Sequence, residues 1–112
     1  MIEVGEYVRD IDGFIVKVNE IQEYKEEDDI WYEEKTLKGT WKSMIVKHSK
    51  NIIDLIEVGD YVNGEIVIDI GERGLYLGFG EGELYSRTFI DKNEIKEILT
   101  KEQYEANSYK IN

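Results

Sequence analysis

The most constraining feature of this 112-residue chain is an internal duplication. Residues 2–8 read IEVGEYV and residues 56–62 read IEVGDYV, so that six of seven positions are identical and Glu6 is exchanged for Asp60. The two heptapeptides lie 54 positions apart, which divides the chain into copies of about equal length. Because a copy of this size buries little apolar surface alone, the sequence predicts two tandem units, 1–55 and 56–112, packed together.

Two alignments of the copies remain open beyond the heptapeptide. Matching the glycines that follow it, Gly13 and Gly64, gives an offset of 51. Matching the alternating apolar residues from Phe14 and Ile66 onward gives an offset of 52. In either case the second copy has the shorter turn.

Most of each copy is predicted to be β-strand. Segments 14–18, 75–79 and 84–90 are rich in β-branched and aromatic residues, many of them in alternation, and such segments favour strands. Asp12-Gly13 and Asn63-Gly64 indicate hairpin turns, and Asn-Gly is the dipeptide best suited to a type I′ turn, whose two central residues have positive φ. The chain has no proline, so its turns depend on Gly, Asn and Asp.

Helix signals are few. Thr100 and Gln103 form a capping-box pattern, which predicts a short helix over 101–107. In the first copy, Ser49 is placed to cap a matching helical turn through Ile53. Each unit is therefore expected to close with one short helical segment.

About five short strands and one helical turn per copy predict a mainly β chain of two tandem small barrel units. The segment VGEYVRDIDGFIVKV, residues 4–18, resembles the opening of SH3-like barrels of the KOW and Tudor type, in which one glycine precedes the first strand and another lies in the following hairpin. The segment IVKHSKNIIDLIEVGDYVNG, residues 45–64, resembles small acidic proteins of phages and prophages of low-GC Gram-positive bacteria. The first resemblance implies SH3-like units, and the second implies a phage setting without naming an activity.

The chain is strongly acidic, with 25 Asp and Glu against 14 Lys and Arg and a net charge of −11. The absence of cysteine excludes a disulfide framework and thiolate metal sites. No apolar run approaches the roughly 18 residues of a membrane span, and the N-terminus lacks the pattern of a signal peptide. We therefore expect a cytoplasmic protein, in the host cytoplasm if it is phage-encoded, without a membrane partner.

The strongest local feature is an acidic run from Glu20 to Glu34, in which eight of 15 residues are Asp or Glu. Three interpretations remain open: a solvated hairpin tip that protects an edge strand, a docking patch for a basic surface with Trp31 or Tyr32 as anchor, and a carboxylate metal site without the spacing of a calcium loop. The docking interpretation gives the candidate partner-binding residues, which are Glu26, Glu27, Asp28, Asp29, Trp31, Tyr32, Glu33, Glu34 and Trp41.

The sequence lacks the features of common enzymes. His48 is the only histidine, cysteine is absent, and no nucleophile turn is recognisable. The glycine-rich segment 71–85 leads into strand-like residues and contains Glu81 and Glu83, which would repel phosphate. We expect no enzyme, no catalytic residue, no cofactor and no metal.

Direct binding of nucleic acid is also disfavoured, because contact with phosphates requires clustered Lys and Arg. Residues 1–55 carry 13 acids and 8 bases, and residues 56–112 carry 12 and 6, so the two copies have net charges of −5 and −6. Only the segment 35–50 is locally basic, with Lys35, Lys38, Lys42, Lys47 and Lys50.

Two non-enzymatic functions remain open. The first is a protein that binds a basic partner surface, and the phage resemblance implies one form of it: an inhibitor of the anti-CRISPR or anti-restriction type that covers the nucleic-acid-binding surface of a host defence complex. The second is an SH3-like adaptor of a phage assembly or replication complex, which holds a peptide in an aromatic groove. Strong salt dependence of binding would favour the first. The partner and the oligomeric state are not defined by the sequence.

Overall fold

A computed structural model of the chain describes residues 1–79 and 86–108. The chain divides into two compact units, Met1–Leu55 and Ile56–Asn112. Short antiparallel strands dominate both, which confirms the prediction of a mainly β chain. Among the described residues, no helix is long and apolar enough to cross a membrane.

The first unit contains six strands and two short 3-10 turns. The strands are β1 (Tyr7–Asp10), β2 (Ile15–Lys17), β3 (Glu20–Tyr24), β4 (Asp29–Lys35), β5 (Lys38–Trp41) and β6 (Ile45–Ser49). The 3-10 turns are Lys42–Met44 and Ile52–Leu55. The strands form two three-stranded antiparallel sheets, with the orders β2-β1-β6 and β3-β4-β5.

Within residues 56–79 and 86–108, the second unit forms a five-stranded antiparallel sheet with the order β10-β9-β8-β7-β11. Its strands are β7 (Tyr61–Val62), β8 (Glu65–Ile70), β9 (Gly74–Phe79), β10 (Ser86–Asp91) and β11 (Ile98–Leu99). A 3-10 turn at Lys92–Glu94 precedes β11, and the helix α1 (Lys101–Asn107) follows it. Of the predicted strand over 84–90, Leu84 and Tyr85 lie outside the described residues, as do Gly80–Gly82 of the glycine-rich segment.

The strand order is the same in the two units when β2 and β3 together are taken as the counterpart of β8. In the first unit the chain passes from β2 to β3 at Val18 and Asn19, where the Asn19 backbone N–H donates to the Glu33 carbonyl at 2.8 Å. In the second unit β8 is one strand, with a register irregularity between Val67 and Asp69, and it pairs with both β7 and β9.

The repeated heptapeptides adopt the same local structure. Gly5 and Gly59 have φ values of 97° and 99°, which favour glycine over any residue with a Cβ. The Gly5 N–H donates to the Val18 carbonyl at 2.8 Å, and the Gly59 N–H donates to the Val67 carbonyl at 2.9 Å. The predicted equivalence of Gly5 and Gly59 is therefore confirmed.

The same hydrogen bonds correct the alignment of the copies. Val18 and Val67 are equivalent, at an offset of 49, so both alignments left open by the sequence are wrong. Seven residues separate Val8 from its partner Val16, whereas two separate Val62 from its partner Glu65. This difference of five residues in loop length accounts for the fall in offset from 54 to 49.

The local turn and helix predictions are confirmed in the second unit. Asn63 and Gly64 have φ values of 53° and 84°, as a type I′ turn requires. The helix spans the predicted residues 101–107, and the Thr100 hydroxyl oxygen accepts a hydrogen bond from the Gln103 N–H at 3.4 Å.

The predicted helix cap in the first unit is wrong by two residues. Ser49 is still paired with Tyr7 in β6, so its backbone is extended and the helical turn begins later. The side chain of Asn51 caps that turn instead, because its Oδ1 accepts a hydrogen bond from the Ile53 N–H at 3.1 Å.

Each unit has its own buried apolar residues. Val8, Val16, Val18 and Tyr32 form the core of the first unit, and Val62, Val67, Leu75 and Leu77 are buried in the second. The predicted alternation in β9 is confirmed, since Leu75 and Leu77 are 1% exposed and Tyr76 between them is half-buried.

The expectation of closed barrels is wrong for the part of the chain that the structure describes. Closure would require hydrogen-bonded pairing between the outermost strands. In the second unit β11 is only two residues long and pairs with β7, while β10 pairs with β9. The first unit consists of two separate three-stranded sheets.

Candidate functional site

The acidic run of residues 20–34 forms the hairpin of β3 and β4, and the register runs without irregularity from Glu20 opposite Glu33 to Tyr24 opposite Asp29. The connecting turn exposes Glu26, Glu27 and Asp28, which we call the acidic tip. None of these three side chains is paired with another described residue. Their charge is therefore directed to solvent.

One face of the β3-β4-β5 sheet carries a cluster of aromatic side chains. Trp31 lies directly opposite Trp41, and their ring centroids are 5.1 Å apart at an interplanar angle of 63°. Tyr24 contacts Trp41 in the same edge-to-face manner, at 5.2 Å and 69°. Edge-to-face packing of this kind stabilises aromatic pairs beyond the area that they bury.

Trp31 lies against the backbone of Gly39. A Cβ atom at Gly39 would be 2.5 Å from Trp31 Cζ2 and 2.5 Å from the Tyr32 carbonyl oxygen, so only glycine fits this position. The indole Nε1–H of Trp31 donates to Glu33 Oε1 at 3.4 Å. A carboxylate is thus fixed beside the indole ring.

The aromatic cluster keeps part of its surface in solvent. Tyr24 is 40% exposed, and both tryptophans are half-buried. Side chains alternate across a strand, so Glu20 and Glu33 belong to the same face. We call this surface the acidic aromatic face; it consists of Tyr24, Trp31, Trp41, Glu20 and Glu33.

Three of the predicted partner-binding residues have structural roles instead. Tyr32 is 3% exposed and belongs to the core, where burial raises the pKa of its phenol. Asp29 holds the following 3-10 turn, because its Oδ2 accepts from the Ser43 hydroxyl at 2.7 Å, and this bond lowers the pKa of Asp29.

The third is Glu34, which links two strands. Its Oε1 accepts the Lys17 backbone N–H at 2.8 Å, and its Oε2 pairs with the Lys38 ammonium at 2.9 Å. Partial burial acts to raise the pKa of Glu34, but these two bonds outweigh it and the pKa is lowered. The structure therefore brings together Trp31, Glu33 and Trp41 on one face, with the acidic tip at the end of the same hairpin.

Sequence reasoning missed Tyr24 and Gly39. The side chain of Tyr24 reaches Trp41 only because the turn at 25–28 places β3 in register with β4, and that turn lacks an Asn-Gly or Asp-Gly signal. A glycine inside a strand indicates that another group approaches its backbone closely. Gly39, two positions before Trp41, was therefore the sequence signal that a large side chain of β4 packs against β5.

The second unit has an aromatic pair at the equivalent place. Tyr76 lies opposite Phe89, with centroids 5.1 Å apart, and Phe89 is 44% exposed. The next residue along each strand is buried: Tyr32 after Trp31, and Leu77 after Tyr76. Each of these residues pairs with a threonine, Tyr32 with Thr40 and Leu77 with Thr88. By this register Trp31 corresponds to Tyr76, and Trp41 corresponds to Phe89.

A separate groove of about 470 Å³ lies in the second unit. Tyr61 and Tyr104 stack in it, with ring centroids 4.2 Å apart and an interplanar angle of 22°. Burial, together with a hydrogen bond to Tyr104, raises the pKa of Tyr61. Lys101, also in the groove, pairs with Glu57 at 2.9 Å. The lining residues are Gly59, Tyr61, Lys101, Glu102, Tyr104 and Glu105.

No group of three or more His, Asp or Glu residues within 1–79 and 86–108 is arranged to hold a metal ion. Comparison with models of known protein families, with curated protein sequences and with solved structures finds no match.

Proposed function

We propose that this chain is a non-enzymatic protein-binding protein, and that it docks on a basic protein surface through its acidic aromatic face. The observation that carries the proposal is the cluster of Tyr24, Trp31 and Trp41 on an acidic hairpin. Large aromatic side chains are enriched at the centres of protein interfaces, where a polar rim surrounds them.

The two parts of the surface have different roles in this proposal. The aromatic side chains supply the apolar contact area, and Glu20 and Glu33 pair with cations of the partner at the rim. The acidic tip of Glu26, Glu27 and Asp28, together with the net charge of −11, attracts a basic surface over a longer distance. Complementary charge of this kind raises the association rate more than it raises the final affinity.

One form of this function is inhibition. A phage-encoded protein of this charge would compete with nucleic acid for the basic channel of a host defence complex, as anti-CRISPR or anti-restriction inhibitors do. The acidic tip and the negative net charge of both sequence copies support this form. We also propose that both units are SH3-like, which is supported by a shared strand order in which the first strand lies between the second and the last.

A second candidate is an SH3-like adaptor that holds a peptide. The groove with the stacked Tyr61 and Tyr104 favours it, since its volume of about 470 Å³ lies within the range of ligand sites. Binding in this groove would depend on Tyr104 and would be insensitive to the acidic tip.

The experiment measures how much of the partner each of two charge-reversal variants captures from an extract of the natural host. The first is E26K/E27K/D28K, which reverses the acidic tip. The matched control is E3K/E72K/E97K, which reverses three exposed acids elsewhere and changes the net charge by the same amount. We expect the first variant to lose the partner at physiological salt and the control to keep it.

Equal loss of the partner in both variants would show that binding depends only on net charge. Retention of the partner in both variants would exclude a role for the acidic tip. Either result would contradict the proposed role of the acidic tip. Loss on Tyr104→Ala, with both charge variants retaining the partner, would select the adaptor function instead.

A further inference from the structure

In the second unit, an arginine side chain lies over one ring of the aromatic pair, Tyr76. The Arg87 guanidinium carbon lies 4.3 Å from the centroid of the Tyr76 ring, which is the geometry of a cation–π contact. The same guanidinium reaches a carboxylate, since its Nη2 is 3.4 Å from Asp69 Oδ2. One side chain is thus stacked on an aromatic ring and paired with an acid.

The first unit has an equivalent aromatic pair, Trp31 and Trp41, but it lacks this arginine. Arg87 lies opposite Gly78 in the second unit, and the corresponding pair in the first unit is Gly39 opposite Glu33. Glycine therefore stands at the arginine position. Gln22, opposite Trp31, takes the position that Asp69 has opposite Tyr76, and a carboxylate is supplied instead by Glu33, which accepts the Trp31 indole N–H.

The first unit has no other arginine to place on these rings. Arg9 is the sole arginine of residues 1–55, and it is 1% exposed, with its Nη1 donating to the Leu55 carbonyl at 2.9 Å. The nearby Lys38 is paired with Glu34. The backbone of Gly39 covers part of the Trp31 ring, so the tryptophan surface open to an arginine of the partner is the part that stays in solvent.

We propose that the acidic aromatic face binds an arginine side chain of the partner, which stacks on the tryptophans and pairs with Glu33 as Arg87 does with Tyr76 and Asp69. This inference rests on the proposed function and names the chemistry that the partner presents. Arginine is specified over lysine because its planar guanidinium stacks on a ring while it donates a fork of hydrogen bonds to a carboxylate.

The intact protein reports on this contact directly, because Trp31 and Trp41 are its only tryptophans. The probes are two short peptides of equal length and charge, one of alternating Gly and Arg and one of alternating Gly and Lys. Titration of each peptide is followed by tryptophan fluorescence. The Arg peptide is expected to bind roughly 2- to 5-fold more tightly, because arginine makes cation–π contacts more often than lysine and such contacts are weak at exposed sites.

Two variants separate the arginine contact from simple charge attraction. Glu33→Gln should remove the preference for the Arg peptide, while Glu23→Gln, which makes the same change of charge on the opposite face of the sheet, should keep it. Arg87→Ala should clear the aromatic pair of the second unit, so that the stoichiometry measured by calorimetry rises from one Arg peptide per chain to two.

The possible results are distinguishable. Equal affinity for the two peptides would overturn the arginine inference and leave the proposed docking on a basic surface intact. An unchanged stoichiometry in Arg87→Ala would contradict the equivalence of the two faces, on which the inference depends. If Glu33→Gln fails to fold, as judged by circular dichroism, the peptide comparison and Arg87→Ala still decide the matter.

Discussion

Glu6 Oε1 lies 2.9 Å from Nδ1 of His48, and this contact joins the repeated heptapeptide to β6. The other carboxylate oxygen of Glu6 accepts the Glu3 backbone N–H at 2.6 Å. The equivalent Asp60 makes the same turn bond to the Glu57 N–H at 2.7 Å, but its second oxygen accepts the backbone N–H of Lys101 at 2.9 Å. The turn of the first unit is therefore tied to a side chain of β6, and the turn of the second unit is tied to the first residue of α1.

This contact predicts acid sensitivity of the first unit. The hydrogen bond with His48, and then the Glu3 backbone N–H, lower the pKa of Glu6 below its ordinary value of 4.5. A carboxyl group whose pKa is lowered by folding stabilises the protein above its unfolded-state pKa, and this contribution is lost as the pH falls through the folded-state pKa. Glu6→Gln should therefore be less stable than wild type at neutral pH and should approach it in acid.

Thermal unfolding of the two proteins over a range of pH measures this difference. The comparison is needed because Asp29 and Glu34 also have lowered pKa values and affect both proteins equally. A gap in melting temperature that stays constant from neutral to strongly acidic pH would be inconsistent with the role of Glu6.

Gly39→Ala should destabilise the protein and disturb the aromatic cluster. The new Cβ would overlap Trp31 Cζ2 and the Tyr32 carbonyl oxygen, and overpacking of this kind costs about 1–3 kcal/mol. Chemical denaturation followed by tryptophan fluorescence measures both effects. Gly71→Ala is the control, because the nearest atom to its Cβ would be 3.6 Å away, and it should leave stability and emission nearly unchanged. Equal effects of the two substitutions would argue against the close packing of Trp31 on Gly39.

Truncation of two adjacent residues of β4 should affect different properties, stability for Tyr32 and partner binding for Trp31. Tyr32→Ala removes a core side chain and should lower the free energy of unfolding by about 3–5 kcal/mol. Trp31→Ala should weaken partner binding with a smaller loss of stability, since Trp31 keeps part of its surface in solvent. Denaturation and binding assays on both variants check this, and a larger loss of stability for Trp31→Ala would mean that the two faces are assigned the wrong way round.

The protein should not bind random duplex DNA or single-stranded RNA at physiological salt. Its charge of −11 repels a polyanion, and within the basic segment Lys38 is already paired with Glu34. A gel-shift assay at low micromolar protein should give no complex. A shift that disappears when Lys38, Lys42 and Lys47 are replaced would refute this expectation.

Short sequence signals were sufficient to predict the Asn63-Gly64 turn and the helix of the second unit. Asn63-Gly64 favours positive φ at both residues, and Thr100 with Gln103 marks a helix start, so each signal lies within a few residues of sequence. The loop of the first hairpin was not predictable in the same way. That loop is fixed by bonds to the buried Asp10, whose Oδ1 accepts the Asp12 and Phe14 N–H groups and whose Oδ2 accepts the Thr40 hydroxyl.

The candidate site was predictable only in part, because it depends on strand register. A shift of one residue sends every side chain to the opposite face of a sheet. The sequence KEED of the turn at 25–28 does not fix that register, and the positive φ of 51° at Asp28 is unusual for a residue other than glycine. Trp31 and Tyr32 are adjacent and similar in character, so the sequence could not tell which lies on the acidic aromatic face and which lies in the core.

In the proposed function, Trp31 and Trp41 lie in the interface with a basic partner. The most direct test labels the protein with 5-fluorotryptophan and records its fluorine NMR spectrum while the captured partner is added. The chain has two tryptophans, so the spectrum contains one resonance for each, assigned with Trp31→Phe and Trp41→Phe. We predict that both resonances shift or broaden on binding. A partner that binds while both resonances stay unchanged would contradict the account.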